Sequence, residues 1–360
     1  MNSRERTFIA LDHQEPDRVP IDFWCSNSVS RKLEAVKGKP IEEIMDDWDV
    51  DLRYAAGPAY VGPELRSWPE DSSEDLWGVR RLCVETEAES YNEVTEFPLA
   101  NARSVEEIEE YSHWPSPDDY DYSVVEKQLD DIRERGRVSC FMGDRLNRVA
   151  QLKPAMYLRG VEQIFIDLAT QPDIALCVIR KIREFYVEYE RRVLEAANGK
   201  LDIMVTGDDF GMQHAPLLSP QMWEEFLGEG FAQYNAVAHE YGVKVMHHTC
   251  GDVWPLIPRM IDGGLDILQS IQPEAAEMDA ARLKAEFGDK LCFHGGMSIQ
   301  RTMPFGTAED VETEVRKRIS SLAAGGGYIL CTAHNIQGDS PIEKIDVLMD
   351  AYHKHGRYDV

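Results

Sequence analysis

The chain is short of positive charge: 38 Lys and Arg stand against 65 Asp and Glu in 360 residues, a formal net charge of −27. So acidic a balance argues against non-specific binding of nucleic acid or of an anionic membrane, since both need basic surface. A small anionic substrate remains open, because one local Arg can hold a carboxylate. Also missing is any run approaching the roughly 20 consecutive apolar residues that span a bilayer. The start, Met1-Asn2-Ser3-Arg4-Glu5-Arg6, leads into mixed sequence without the apolar stretch of a secretory signal, so a cytoplasmic location is expected. Cysteine is sparse: seven residues, an odd number, without disulfide-like clustering. They are expected to be reduced thiols, packing residues or metal ligands. No repeat of solenoid period is present. The remaining composition, 43% hydrophobic and 29% charged, is that of a globular protein.

What recurs is a short apolar run followed by an amphipathic helical stretch. Strands are expected at residues 19–24, 51–56, 138–142, 201–206, 243–247, 265–270, 290–294 and 327–331, most of them rich in Val, Ile, Leu or aromatics, as buried parallel strands are. Ser219-Pro220 reads as a helix start, Thr307 with Asp310 as a capping box, and Gly325-Gly326-Gly327 as a helix end. Strand then helix, about eight times, predicts an α/β fold of the (β/α)8 TIM-like barrel type, with a doubly wound open sheet as the alternative. Residues 1–360 are expected to form one barrel domain. An insertion at about 60–135, between the second and third units, breaks the rhythm with Pro63, Pro69, Pro98, Pro115 and Pro117. Within it residues 76–84 read as a hairpin strand and Glu106 to Glu110 as a solvated helix face.

In such a barrel the catalytic side chains gather where the strands end. The fourth expected strand is followed by Gly207-Asp208-Asp209-Phe210-Gly211, and the fifth by His248-Thr249-Cys250-Gly251-Asp252. Gln269 ends the sixth, His294-Gly295-Gly296 the seventh, and Cys331-Thr332-Ala333-His334-Asn335 follows the eighth. His248 and Cys250 offer an imidazole and a thiolate two residues apart. A catalytic zinc needs a third protein ligand, and Cys331 or His334 can supply it, leaving the fourth position open. Asp208 and Asp209 are candidates for a general base or for carboxylates supporting the ligands, or they simply cap loop amides. His294 is a further catalytic candidate. Trp24, Trp77 and Trp254 are candidates to line an aromatic pocket.

Three segments, Arg4-Glu5-Arg6 … Glu15-Pro16-Asp17-Arg18-Val19-Pro20, His248-Thr249-Cys250-Gly251-Asp252 and Gly326-Gly327-Tyr328-Ile329-Leu330 … His334-Asn335-Ile336-Gln337, carry a likeness across nearly the whole length. In them the chain resembles the uroporphyrinogen decarboxylase superfamily. The resemblance implies a (β/α)8 barrel with its site at the C-terminal mouth. Haem-pathway decarboxylases of that superfamily carry an Arg-Gln-Ala-Gly-Arg stretch after the first strand. Here Cys25-Ser26-Asn27-Ser28-Val29-Ser30-Arg31 stands in its place, with no such arginine pair. Nor is an Asp found after the second strand, where Gly57 is the nearest match. An octacarboxylate substrate is therefore not expected.

The other branch comprises corrinoid-dependent methyltransferases, whose zinc site is His-x-Cys with a distant Cys near the eighth strand. His248-x-Cys250 matches the first part; His334 stands opposite the distant cysteine and Cys331 three residues earlier, so the third ligand is either. The resemblance thus implies zinc, and cobalamin as a co-substrate carried by a corrinoid partner protein. It implies a small-molecule methyl donor or acceptor, a methyl ether or a thiol, and a possible homodimer. The alternatives are a metal-independent decarboxylase or lyase of a smaller substrate, with Asp208 and His334 as acid and base, and a non-catalytic tetrapyrrole-binding protein.

Overall fold

In the computed structural model, which describes residues 1–86, 90–143 and 148–358, seven parallel strands follow one another around a single sheet. They are Leu52–Ala55, Val138–Phe141, Ile203–Gly207, Lys244–His248, Ile267–Ile271, Cys292–Met297 and Tyr328–Thr332. Residues 19–24 close the ring. Leu330 N donates to Pro20 O and Asp22 N to Leu330 O, while on the other side Asp51 N donates to Ile21 O, each at 2.8 Å. This eighth stave makes a parallel bridge at Ile21 rather than a full ladder, because Pro20 has no N–H to give. The expected barrel is therefore present.

Asp51 holds the closure. Its fully buried carboxylate accepts from Arg6 Nη1 and Arg18 Nη1 at 2.7 Å and from Ile21 N at 2.8 Å. The arginines near the start of the chain thus serve the scaffold. A buried carboxylate tolerates such a place only when its lone pairs are met this completely.

Side chains alternate along each strand. Leu52, Val138, Cys140, Ile203, Val205, Met246, Ile267, Cys292 and Ile329 form a buried cluster inside the barrel, with Leu11 of the N-terminal helix against it. The larger core lies between sheet and helices. Helix ends follow the sequence signals. Ser219 accepts from Met222 N at 3.2 Å, and Thr307 and Asp310 exchange both bonds of a capping box. After the helix Ala308–Leu322, Gly326 turns at φ +76°, where an added Cβ would come within 2.3 Å of Gln14 O.

Between the first two strands of the sheet, Ser67–Trp68, Ser72–Glu74, Arg80–Glu85 and Ser90–Glu96 form a separate antiparallel sheet; residues 87–89 lie outside the described residues. Its third strand begins at Arg80 and not at 76. Asp75 accepts from the amides of Trp77 and Val79, and Gly78 at φ +73° completes a tight turn. Glu106, Glu107, Glu109 and Glu110 are exposed around the buried Ile108. The helix Val125–Glu134 packs Val125, Leu129 and Ile132 toward the first two strands of the barrel. Among the described residues no helix is long and apolar enough to cross a membrane.

Candidate functional site

Strand alternation decides which of two adjacent histidines reaches the mouth. Met246 faces the interior, so His248 does also and His247 faces out. His247 stacks on Phe210 with ring centroids 5.1 Å apart, bonds Thr206 Oγ1 at 2.8 Å, and is pushed down to about 3 by burial. His248 donates from Nδ1 to Gln269 Oε1 at 2.9 Å. That bond leaves the Nε2 lone pair facing Cys250 Sγ, 3.6 Å away. His334, on the loop after Tyr328–Thr332, lies with its ring 5.2 Å from that of His248, and its Nδ1 is buried without a hydrogen-bond partner among the described residues.

One donor atom each from His248, Cys250 and His334 lies within 4.8 Å of the others. Two imidazoles and a thiol are a donor set suited to zinc, with one tetrahedral position left over. Burial drives both imidazoles below their usual range, His248 well below it, so both are neutral and able to ligate. Burial and the neighbouring Asp209 push the Cys250 thiol up to about 12. A divalent cation is what releases such a proton.

Cys331 is not in this group. It shares the inward parity of Ile329, is 1% exposed, and sits deeper, with Asp22 and His294. In that second cluster His294 Nε2 bonds Asp22 Oδ2 at 2.8 Å, and Tyr54 donates its hydroxyl to the same oxygen at 2.6 Å. Trp24 stands between the two clusters, 5.9 Å from the His248 ring and 6.0 Å from that of His294.

Asp208 and Asp209 have parted company. Asp208 accepts from the backbone of Gln151 at 2.5 Å, Leu152 at 2.9 Å and Lys153 at 2.7 Å, capping the helix Leu152–Arg159. Burial pushes its carboxyl up to about 6 in spite of those three amides. Asp209 faces the donors: Oδ1 accepts from Cys250 N at 3.2 Å and lies 3.7 Å from His248 Nε2, while Oδ2 pairs with Lys153. Burial alone would raise it, but the Lys153 ammonium and the Cys250 amide outweigh burial and hold it below the usual carboxylate range. Lys153, Asp22 and Tyr54 were not expected from the sequence. No motif surrounds them, although the parity of Leu52 places Tyr54 inward.

Two cavities meet at His334. The larger, about 740 Å³, is lined by Trp24, Tyr54, Met142, Arg148, Lys153 and His248, and the antiparallel insertion adds Tyr91. The smaller, about 240 Å³, has Cys250, Ser270, Gln272, Gln300 and Gln337 in its wall. Of the three tryptophans expected at a pocket, Trp24 alone lines either of these cavities. Trp77 packs on Phe185 under the insertion, and Trp254 lies against Phe287 beneath the Arg282 guanidinium, because both fill gaps between helices and loops outside the barrel mouth.

Residues 149–355 match the family model described as uroporphyrinogen decarboxylase (URO-D). A methylated-thiol–coenzyme M methyltransferase of Methanosarcina mazei is 24% identical over 300 residues, 83% of this chain and 65% of that protein. A uroporphyrinogen decarboxylase of Pseudoalteromonas atlantica is 33% identical over 78 residues, 22% of this chain and 21% of its own length. The matched stretch thus spans only about a fifth of that decarboxylase. A solved methyltransferase from Methanosarcina mazei superposes with a TM-score of 0.70 at 17% identity, covering 98% of this chain and 99% of that one, which shows the shared barrel.

Proposed function

The chain belongs to the uroporphyrinogen decarboxylase family, and on that premise we propose that it is a zinc-dependent, corrinoid-linked methyltransferase. It moves a methyl group between a small methyl ether or thiol and a cobalamin, carried by a corrinoid partner protein. The observation that carries this reading is the meeting of His248, Cys250 and His334 at one point of the barrel mouth. His334 is the third ligand in this reading, and Cys331 is not. A match over 83% of the chain is to a methyltransferase, which supports the same choice within the family.

A zinc ion held there would supply Lewis acidity toward a thiol or ether oxygen in its open position. The chain's own residues do the rest. Gln269 fixes the His248 tautomer. Asp209, charged and held by Lys153, lies close enough to the donors to offset part of a cation's charge and to orient the Cys250 loop through its amide. His294 and Tyr54 pack their rings near Trp24, with centroids 6.0 Å and 5.8 Å away. The larger cavity carries, among the described residues, Arg148 and Lys153 as its cations. They are too few for an octacarboxylate. In the decarboxylase alternative Asp208 would serve as an acid or base, and its carboxyl already accepts from three amides.

The test is metal content by mass spectrometry together with methyl transfer to added cob(I)alamin from a panel of methoxylated and methylthio compounds. About one zinc per chain is expected, lost in Cys250→Ala and His334→Ala and kept in Cys331→Ala. Protein purified without zinc, or activity that survives exhaustive chelation, removes the proposal.

A further inference from the structure

Besides the group at the mouth, one other trio of donors converges among the described residues. Asp22, His294 and Cys331 offer a carboxylate, an imidazole and a thiol whose ligand atoms lie within 4.8 Å of one another. All three are at most 1% exposed. None of them lines either mouth cavity, whereas Tyr54 and Trp24, which lie against the group, line the larger one. A donor group with no open side suits a structural ion, since a catalytic ion keeps a position for substrate.

The surroundings of Asp22 point the same way. Asp51, the other buried carboxylate at the ring closure, faces two arginines. Asp22 has no Lys or Arg partner among the described residues; its ion-pair contact is with the His294 imidazole, which carries charge only when protonated. Its oxygens accept from Phe23 N at 2.8 Å, from the Tyr54 hydroxyl at 2.6 Å and from His294 Nε2 at 2.8 Å. Carboxylates buried this deeply are paired or bind metal. The other two donors are loosely held. The Cys331 thiol approaches Thr332 Oγ1 at 3.9 Å, a long contact, and His294 Nδ1 is buried without a hydrogen-bond partner among the described residues.

We propose that Asp22, His294 and Cys331 form a second, closed cation site, which takes zinc or a divalent ion of similar ligand preference and ties the seam of the barrel. Imidazole, thiolate and carboxylate all ligate zinc, and the Tyr54 hydroxyl, 2.6 Å from the Asp22 oxygen, is near enough to complete the shell. Cys331 gives up its thiol proton as the ion binds. The four residues stand on four successive staves of the ring: His294 on Cys292–Met297, Cys331 on Tyr328–Thr332, Asp22 on residues 19–24 and Tyr54 on Leu52–Ala55. This is where the 19–24 stave is held by a bridge and not by a full ladder. The hydrogen bonds inside the empty group compete with the ion, so the site is weaker than the mouth and fills when metal is in excess. The assignment is independent of the reaction at the mouth.

Cobalt(II), which accepts zinc's ligands and absorbs by charge transfer from a bound thiolate, tests the site in the full chain. Cys250→Ala removes the mouth thiolate, so any thiolate–cobalt band then comes from another cysteine. Produced in medium with excess cobalt and desalted, this variant is expected to hold about one cobalt per chain and to show the band, and the wild-type chain about two. Adding Cys331→Ser to Cys250→Ala should remove both the ion and the band. The bound ion should raise the thermal unfolding midpoint of Cys250→Ala by about 3 °C or more over its metal-free form, and leave that of the double variant in place. Absence of the band in Cys250→Ala overturns the proposal, as does a band that survives Cys331→Ser. Should the double variant fail to fold, Cys250→Ala with His294→Ala takes its place under the same expectations. A cobalt-bearing Cys250→Ala chain that unfolds no later than its metal-free form overturns the tie across the seam.

Discussion

Gln269 Oε1 holds His248 Nδ1–H at 2.9 Å, and by doing so turns His248 Nε2 toward the Cys250 sulfur. The two residues sit directly opposite each other on adjacent parallel strands, so backbone register sets the pair. Removing the acceptor frees the ring to rotate or change tautomer. Gln269→Leu is expected to weaken zinc affinity about 10- to 100-fold, the usual effect of losing a residue that orients a ligand. Gln269→Glu, which keeps an acceptor, should retain most of it. Competition with a chromophoric chelator measures both, and unchanged affinity in Gln269→Leu would show that His248 is not a ligand.

Asp208 serves the scaffold although its neighbour Asp209 faces the donor group. Asp208 caps three amides at the start of the helix Leu152–Arg159. Asp208→Ala is therefore expected to cost about 1–2 kcal/mol of stability, as cap losses do, while zinc content stays the same. Urea unfolding reads the first effect and metal analysis the second. A stable Asp208→Ala protein with abolished turnover would instead place that carboxyl in the chemistry.

The fold was legible because barrel strands advertise themselves: Ile203–Gly207 and Tyr328–Thr332 are buried throughout and follow helices with clear stops. The His248–Cys250 pair was legible for a related reason, since a strand end with period two aims both side chains the same way. Whether Cys331 or His334 joins them was not. That depends on a loop that lifts His334 to the level of His248 and leaves Cys331 a layer below, and loop geometry has no period to read. Lys153 was invisible because its role depends on a long-range capping contact with Asp208. The tryptophans misled because aromatic bulk serves core and pocket equally well.

Closure of the barrel depends on a carboxylate far from the mouth. Asp51 is shared by Arg6 and Arg18, whose side chains are 7% and 8% exposed. Asp51→Ala leaves both guanidiniums without that partner and strips Ile21 N of its acceptor. A loss of about 3–5 kcal/mol is expected, the range for breaking a buried pair from one side. Arg18 keeps Asp49 and Arg6 keeps Asp17, so the effect should sit toward the lower end. Denaturant unfolding checks it; a change below about 0.5 kcal/mol, the scale of an ordinary surface substitution, would mean that the ring closes without this residue.

Glu190 is the clearest case of a group that opposes folding. It is fully buried in the helix Pro172–Ala196, and neither carboxyl oxygen has a hydrogen-bond partner among the described residues. Burial raises its pKa well above the usual 4.5, so the folded chain keeps a proton that the unfolded chain gives up. Where the native state binds more protons, stability falls as pH rises. The fall begins near 4.5 and continues up to the raised folded value. Glu190→Leu, close in volume and without polar atoms, is expected to stabilise the protein by about 1–3 kcal/mol at pH 8, the cost of a buried unsatisfied group. The gain should shrink steadily toward pH 5. Thermal unfolding of both proteins across that interval decides the matter: a gain independent of pH would mean that the carboxyl finds a partner or water on folding, and a loss would mean that it holds the helix in place.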